Sequence, residues 1–568
     1  MTHFLNHYIL KYTPLSPIHI GTGDSYEPTN YVIDDGTLYE FDTGGAMTAL
    51  TAQDRTELDK ITKGKPDTQM LKDVQRFFYS RREALKPWAI NAIPVLEGVA
   101  RYYEKHIGQA ANREGDNTEV IAKLEIDRTA YNPITRQPVL FGSSVKGAIR
   151  TALLNKENKG QRARESKGLH EFQGRLLQYY YPENRQLKIE LDPLRLINIA
   201  DATWQSNTDK PTSQVYLAVN RKKQPVKDEY GNIRQAIGEN LSQIFECVPA
   251  FYAHTFIGQL TLQNVGTVNR PKLPAAEFRY TAEAIASACN KFYTPILTKE
   301  LKLMIEMGYL DENWKKAAFQ LFKLSEEKRK NNSAFLLRVG RHSGAESLTL
   351  EGVRNIKIMK GKGQQPEFSD AAKTLWLAAQ HKDQRTDLLP FGWMLVEILS
   401  DNSANQDWPE LAELCAQQQQ SALAWTQKQT EQKASLEQKR QAAKQRREQE
   451  NLERQQQAEQ QAQAEKERLT EELAEQQRQV EAQKQREQMT DEQRLIDDLR
   501  KQLQEKSTHK LREQIGGPLY GDLKKLIDQA TDWQQQDKTD LQQLGKDILV
   551  FINAKDNKKA KDLLKSLN

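Results

Sequence analysis

The spacing of apolar positions divides the chain into three stretches of different texture. In the first, residues 1 to about 400, β-rich runs alternate with helical periods. YILKYTPLSPIHI (8–20) and NYVIDDGTLYEFD (30–42) carry the β-branched and aromatic residues of strands, and the GTGD between them reads as a tight turn. Beyond Gly44-Gly45 the period becomes helical up to about Ala111, with Leu71, Val74, Phe77 and Phe78 on one face. Strand character returns at EVIAKLEID (119–127). A turn-rich RTAYNPITRQP then leads into VLFGSSVKGAIRTALLN (139–155), a strand end entering a helix. LRLINIADATW (194–204), SQVYLAV (213–219) and ECVPAFYAHTFIGQLTL (246–262) read as further strands, and 282–328 as helical. FLLRVGRHSG (335–344) is a strand running into a second Gly/Arg loop. Strands collected from so far apart, with a helical insertion after the first hairpin at about 46–112, predict an α+β architecture.

In the second stretch, about 416–510, Gln, Glu, Lys, Arg and Ala dominate. Leu436, Leu452, Leu469, Leu473 and Val480 appear without a sustained a/d repeat, so a strong coiled coil is not predicted. Intrinsic propensity and i,i+4 ion pairs still favour a long solvated helix or weak coiled coil, and ~80 residues of helix would reach ~120 Å. Leu495, Leu499 and Leu503 form a firmer stripe before Gly516-Gly517-Pro518, which reads as the helix stop. The third stretch, 511–568, regains apolar periodicity at Leu523, Leu526, Ile527, Leu541, Leu544, Ile548, Phe551, Leu563 and Leu564, predicting a small helical domain.

Composition narrows the reading only modestly. The chain has 568 residues and a formal net charge of +5, room for two or three domains and too mild a basic excess to identify a partner. Cys247, Cys289 and Cys415 are far apart and form no C-x-x-C, so neither a disulfide framework nor a zinc site is expected. No metal-ligand set or cofactor motif stands out. No apolar run approaches the ~20 residues of a membrane span, and MTHFLNHYILKYT lacks a secretory signature. The expectation is a cytoplasmic protein without membrane partners.

The candidate chemistry lies at 139–155. Gly142 allows a tight turn after the strand, and Ser143 or Ser144 is the expected N-cap. Free amides at that helix end favour an anion; Lys146 and Arg150 share one face, and Gly147 between them allows close approach. The pattern fits a phosphate cradle, or an ordinary capped helix with solvated cations. It is not a nucleotide-triphosphate loop, since G-x-x-x-x-G-K-[ST] is absent.

Further motifs give the cradle a context. SPIHIGTGDSYEPTNYVID (16–34) resembles the opening signature of the RAMP proteins of type III CRISPR effectors, whose first strand ends in a His-x-Gly-x-Gly-like turn. LFGSSVKGAIRTALL (140–154) resembles the family's Gly-rich segment, with Phe141 where proline is usual. RVGRHSGAES (338–347) and LPFGWMLVE (389–397) are similar to the closing motifs of the branch that supplies the fifth subunit of the type III-A Csm complex. The resemblance covers residues 8 to about 400; nothing comparable covers 416–568.

It implies an RRM-like, ferredoxin-like core over residues 1–405 that binds CRISPR RNA (crRNA) near its 3′ end. It also implies a subunit that caps the backbone filament, contacts target RNA, and neighbours a backbone RAMP subunit and a small helical subunit. A role in crRNA maturation and antiviral defence follows. A guide held whatever its sequence is held through phosphates and 2′-hydroxyls. The expected contacts are Gly21, Gly23, Gly142, Ser143, Ser144 and Gly147 as backbone approach points, with Lys146 and Arg150 on phosphate. Arg338 and Arg341, flanking Gly340, supply a second cationic contact, with His342 and Ser343 as hydrogen-bond donors. Tyr131 is a candidate stacking platform in a thumb-like hairpin, with Arg128 and Arg136 beside it.

Plainer roles compete. His19 reads as a structural hydrogen-bonding side chain, Gly21 and Gly23 as tight packing, Arg128 and Arg136 as surface charge, and Trp204 and Trp393 as core. Family members that cut RNA carry an aspartate just after the Gly turn. Thr29-Asn30-Tyr31 stands there instead, so no catalytic residue is expected. The alternatives are a metal-dependent RNA endonuclease using carboxylates such as Asp24 or Asp34, and a coiled-coil scaffold. An additional protein partner, or self-association, is expected through 416–568.

Overall fold

The computed structural model describes residues 4–113, 119–121, 124–162, 168–181, 183, 186–205, 210–227, 230, 233–234, 237–267, 270–358, 364–400 and 407–567. The chain forms two compact units, 1–449 and 450–568. Residues 122–123 of the expected 119–127 strand, and the boundary expected near 405, lie outside the described residues.

The first unit is built on an antiparallel sheet, seven-stranded among the described residues. Its first strand, Leu5–Pro14, lies between Phe256–Gln263 and Trp393–Ser400. Phe256–Gln263 pairs on its other edge with Ile197–Ile199 and Ala202–Trp204. Counting Leu5–Pro14 as first, 197–204 as second, 256–263 as third and 393–400 as fourth, the order is 4-1-3-2. Helices Gly142–Asn158 and Ala282–Glu306 fall after the first and third strands and pack against each other. That is the ferredoxin-like arrangement. Ala334–Arg338 adds an edge strand beside Trp393–Ser400, and Val139–Leu140 pairs at the opposite edge. Leu10, Tyr12, Ile149, Leu153, Tyr293, Leu336, Trp393 and Leu395 fill the core. Trp204 is buried too, as expected.

A second sheet runs in the order Gly21–Tyr26, Ile126–Thr129, Ile237–Cys247, Gln214–Lys222, Thr374–Ala379. GTGD is therefore not a turn but the start of a strand, with a register shift between Gly21 and Ser25. The run 30–42 is not one strand either. It folds into the hairpin Tyr31–Asp34 and Thr37–Glu40, because Asp35 and Gly36 both take positive φ (50° and 72°). The run 246–262 breaks likewise into strands ending at Cys247 and starting at Phe256, with Phe251 and His254 at positive φ between them. The insertion is mainly helical but contains the strand Asn91–Pro94, which pairs with Thr37–Glu40.

Helix Gln420–Gln488 is continuous and has no buried residue. Residues up to 449 belong to the first unit. In the second unit, helix Asp491–Thr508 opens with a capping box at Thr490 and Gln493 and buries Ile496 and Leu499 against Leu519, Leu523, Leu541, Leu544 and Ile548. The expected stripe is displaced by one position: Leu495 is 41% exposed, and the buried face is Ile496, Leu499 and, partly, Leu503. The helix stops at Thr508, with Lys510 at φ 52°, so Gly517-Pro518 opens the next helix, Pro518–Gln529, rather than closing this one.

Candidate functional site

Main-chain hydrogen bonds draw the four motifs together. Arg341 N donates to His19 O (2.9 Å), Gly392 N to Pro17 O (2.9 Å) and Val339 N to Gly392 O (2.9 Å). Ala130 N donates to Ile20 O (2.7 Å) and Val139 N to Ala130 O (2.8 Å), and the helix at Gly142 follows two residues after Leu140. The segments at 16–21, 139–147, 338–342 and 389–393 thus form one cluster where the two sheets meet.

Three motif glycines serve this convergence rather than an open amide pocket. Gly340 (φ 80°) carries no side chain because a Cβ there would strike the carbonyl of His19. Gly392 (φ 86°) lies against the carbonyl of Val339 in the same way. Gly142 is not a left-handed turn; its Cβ would meet the Ile199 carbonyl, so the helix starts directly against the strand. By contrast, nothing lies within 4 Å of a Cβ on Gly23 or Gly147, and a Cβ on Gly21 would meet only the His19 ring, 3.3 Å from Nε2. Gly21, Gly23, Ser143 and Gly147 face solvent.

The expected serine cap is replaced. The helix begins at Gly142 with Phe141 as N-cap and no side-chain cap, and Asp201 accepts from Gly142 N at 2.7 Å. The anion favoured at this helix end is thus partly an internal carboxylate. Ser144 is half-buried, and its N–H donates to Phe141 O.

The cations divide into two groups. Arg338 is buried, forks onto Glu300 (2.5 and 3.1 Å), donates to Phe391 O and lies 4.8 Å from the Trp393 ring centre. Arg128 is buried, pairs with Glu40 (2.8 Å) and is held between the rings of Tyr26 and Tyr131 at 4.2 and 3.9 Å. Arg150 donates to Asp192 (2.9 Å), Gln173 and Tyr179. Arg136, at φ 61°, also pairs with Glu40 (3.2 Å). These four are tied into the protein, and the buried ones are core ion pairs rather than surface charge. In the second group, Lys146 has no ion-pair partner among the described residues. Burial lowers its proton affinity, and Arg150 adds to that against the pull of Asp192. Arg341 is exposed, 5.2 Å from the Phe245 ring centre, with one surface partner, Asp127 (3.2 Å).

Two histidines lie beneath the cluster. His19 is buried; its Nδ1 donates to Glu246 O at 2.8 Å, and burial lowers its pKa, so the structural reading of this residue stands. His342, at φ 63°, stacks on Trp376 (centroids 4.5 Å apart) and contacts Phe245. Burial, then the Arg341 guanidinium, pushes its pKa down to about 3, so it is a neutral ring packed in the protein. Ser343 is not the expected outward donor: its hydroxyl donates to Gly340 O. Glu246 is fully buried; burial raises its pKa although Ser213 and Thr129 N donate to it and Arg128 is near.

Tyr131 opens a tight hairpin that closes at Pro138. Asn132 Oδ1 accepts from the amides of Ile134 and Thr135, and Ile134 at the tip is 90% exposed. The Tyr131 ring has Arg128 on it, so Ile134 rather than Tyr131 is the projecting group. A lone isoleucine within the turn-forming stretch Asn132-Pro133-Ile134-Thr135 is the sequence signal for it. Of the carboxylates near the opening motif, Asp34 is held by Arg82 (2.9 Å) and Lys86 (2.5 Å), and these partners hold its carboxyl below the usual range against burial. Asp24 is exposed. Among the described residues no group of three His, Cys, Asp or Glu side chains is placed to hold a metal ion. Among them, too, no helix is long and apolar enough to cross a membrane.

Comparison with known proteins gives one family match, the RAMP superfamily, over residues 11–341. No curated protein matches. Similar solved structures include a chain of the "Cryo-EM structure of Csm-crRNA-target RNA ternary complex in type III-A CRISPR-Cas system", with 18% identity over 69% of this chain and 100% of that one (TM-score 0.39). Another is the "Crystal structure of T.onnurineus Csm5", with 15% identity over 68% of this chain and 99% of that one (TM-score 0.38).

Proposed function

Since the chain belongs to the RAMP superfamily, we propose that it is a non-catalytic crRNA-binding subunit of a type III-A interference complex. In this reading it holds the 3′ region of the guide, caps the backbone filament beside a backbone RAMP subunit and a small helical subunit, and lies near target RNA. The observation that carries the reading is the convergence of the four motifs through main-chain bonds, with Gly23, Lys146, Gly147 and Arg341 around them left uncommitted to the core. Open glycines let a ribose-phosphate strand approach the backbone, and the two cations neutralise phosphate without reading bases. The Arg341–Asp127 pair is exposed and worth at most about 1 kcal/mol, so a phosphate displaces it readily. Arg128, Arg136, Arg150, Arg338 and His342 position the surface instead of touching RNA. We assign no cutting role: the Asp34 carboxylate is neutralised by two cations, and the buried His19 ring is turned to a carbonyl.

The test uses the full chain and short single-stranded RNA. Lys146→Glu with Arg341→Glu is expected to abolish retention at physiological salt. The milder Lys146→Ala with Arg341→Ala should flatten the dependence of log affinity on log salt by about 1.4, two phosphate contacts on a single strand. Retention and slope both unchanged would end the reading. RNA cleavage lost on Asp24→Ala would replace it with the endonuclease alternative.

A further inference from the structure

Helix Pro409–Gln417 is anchored by apolar packing: Trp408, Leu411 and Cys415 are buried in the main core of the first unit. The backbone breaks at Gln418-Gln419, where the Gln419 side chain donates to Phe251 O at 2.7 Å, and helix Gln420–Gln488 begins. Past Ala422, which still touches the core, the character of the contacts changes completely.

From Trp425 to Arg446 the helix is held by polar contacts. Trp425 Nε1 and Gln429 Nε2 both donate to Thr37 Oγ1 (2.9 and 3.2 Å), and Lys428 pairs with Asp35 (2.5 Å). Lys439 pairs with Glu83 at 3.3 Å. Arg440 and Lys444 lie 5.2 and 6.0 Å from the Trp88 ring centre. Arg446 donates to Ala49 O at 2.8 Å, at the C-terminal end of helix Thr43–Ala49, where a cation meets free carbonyls. No residue of the helix is buried, and the Lys428–Asp35 and Lys439–Glu83 pairs are 40% or more exposed on each side. Residues 420–449 hold seven Lys or Arg and only three Glu, so a basic helix is laid on the acidic turn at Asp35, on Glu83 and on an indole face.

We infer that residues 425–449 are a detachable strap, hinged just past Ala422 and held on the first hairpin and helical insertion mainly by charge. Ionic strength sets its occupancy, because exposed pairs and cation–π contacts are screened while the apolar anchor before the hinge is not. Release uncovers Asp35, Glu83 and Trp88 and turns the basic face of the helix to solvent. The inference does not depend on the RNA-binding reading.

Hydrogen–deuterium exchange on the full chain tests it. Backbone exchange across 425–447 should rise about tenfold between 50 and 500 mM NaCl, while strands 5–14 and 393–400 stay protected. Asp35→Lys with Glu83→Lys should give the fast exchange already at 50 mM. Lys428→Glu with Lys439→Glu should do the same with the head untouched. Combining all four substitutions restores the charge pairs in reverse and should return slow exchange. Equal protection of 425–447 at both salts, or fast exchange in the four-substitution variant, overturns the strap.

Discussion

Arg338 and Arg341 stand three residues apart and have opposite fates. Arg338 ends a strand whose five residues are all buried, so its guanidinium follows them inward to Glu300; Arg341 lies beyond Gly340 and turns outward. Arg338→Ala should cost about 3–5 kcal/mol in urea unfolding, because it strands the largely buried Glu300 carboxylate. Arg341→Ala should stay within about 0.5 kcal/mol while weakening RNA retention. The partner that separates them lies 38 residues upstream, so the sequence showed two equivalent cations. His342 makes a pH prediction. Its folded pKa of about 3 lies below the ordinary 6.5, so the stability it contributes is complete above about pH 6.5 and is lost as pH falls towards 3. Its ring proton signals should therefore not titrate between pH 8 and 4; a midpoint near 6 would contradict the packing described.

At the scale of elements, the glycine motifs were legible but their purpose was not. A Gly in a turn looks the same whether the space beside it is taken by RNA or by the next segment of the chain. Gly340→Ala, with φ 80° and the His19 carbonyl in the way, should lower stability by about 2 kcal/mol or more, whereas Gly147→Ala, in open space on a helix, should be neutral or slightly stabilising. Thermal unfolding separates the two. The terminal stripe is ambiguous in the same way. Leu495, Leu499, Leu503 and Ile496, Leu499, Leu503 are both helical spacings, and only the position of helices 518–529 and 535–551 selects the second. Ile496→Ala should cost about 2–4 kcal/mol in the second unit, and Leu495→Ala well under 1.

For the whole molecule, the α+β class and the long charged helix could be read from periodicity and composition, and the ferredoxin-like core only from the resemblance carried by the motifs. The second sheet could not, because Gly21–Tyr26 is too glycine-rich and polar to look like a strand. Neither could the docking of 425–449, whose contacts are single polar side chains without an apolar period. One feature of the main sheet bears on how the protein is made. Its first strand, Leu5–Pro14, is central and takes its two neighbours from residues 256–263 and 393–400. At 5–20 residues per second, a ribosome needs roughly 20–80 s to deliver the second of them. YILKYTPL waits with both edges unpaired until 256–263 is made, and with one edge still open until 393–400 follows, a sticky β segment for the whole interval. Slowing translation before codon 400 should therefore raise aggregation of the nascent chain, whereas the same pause placed after it should not.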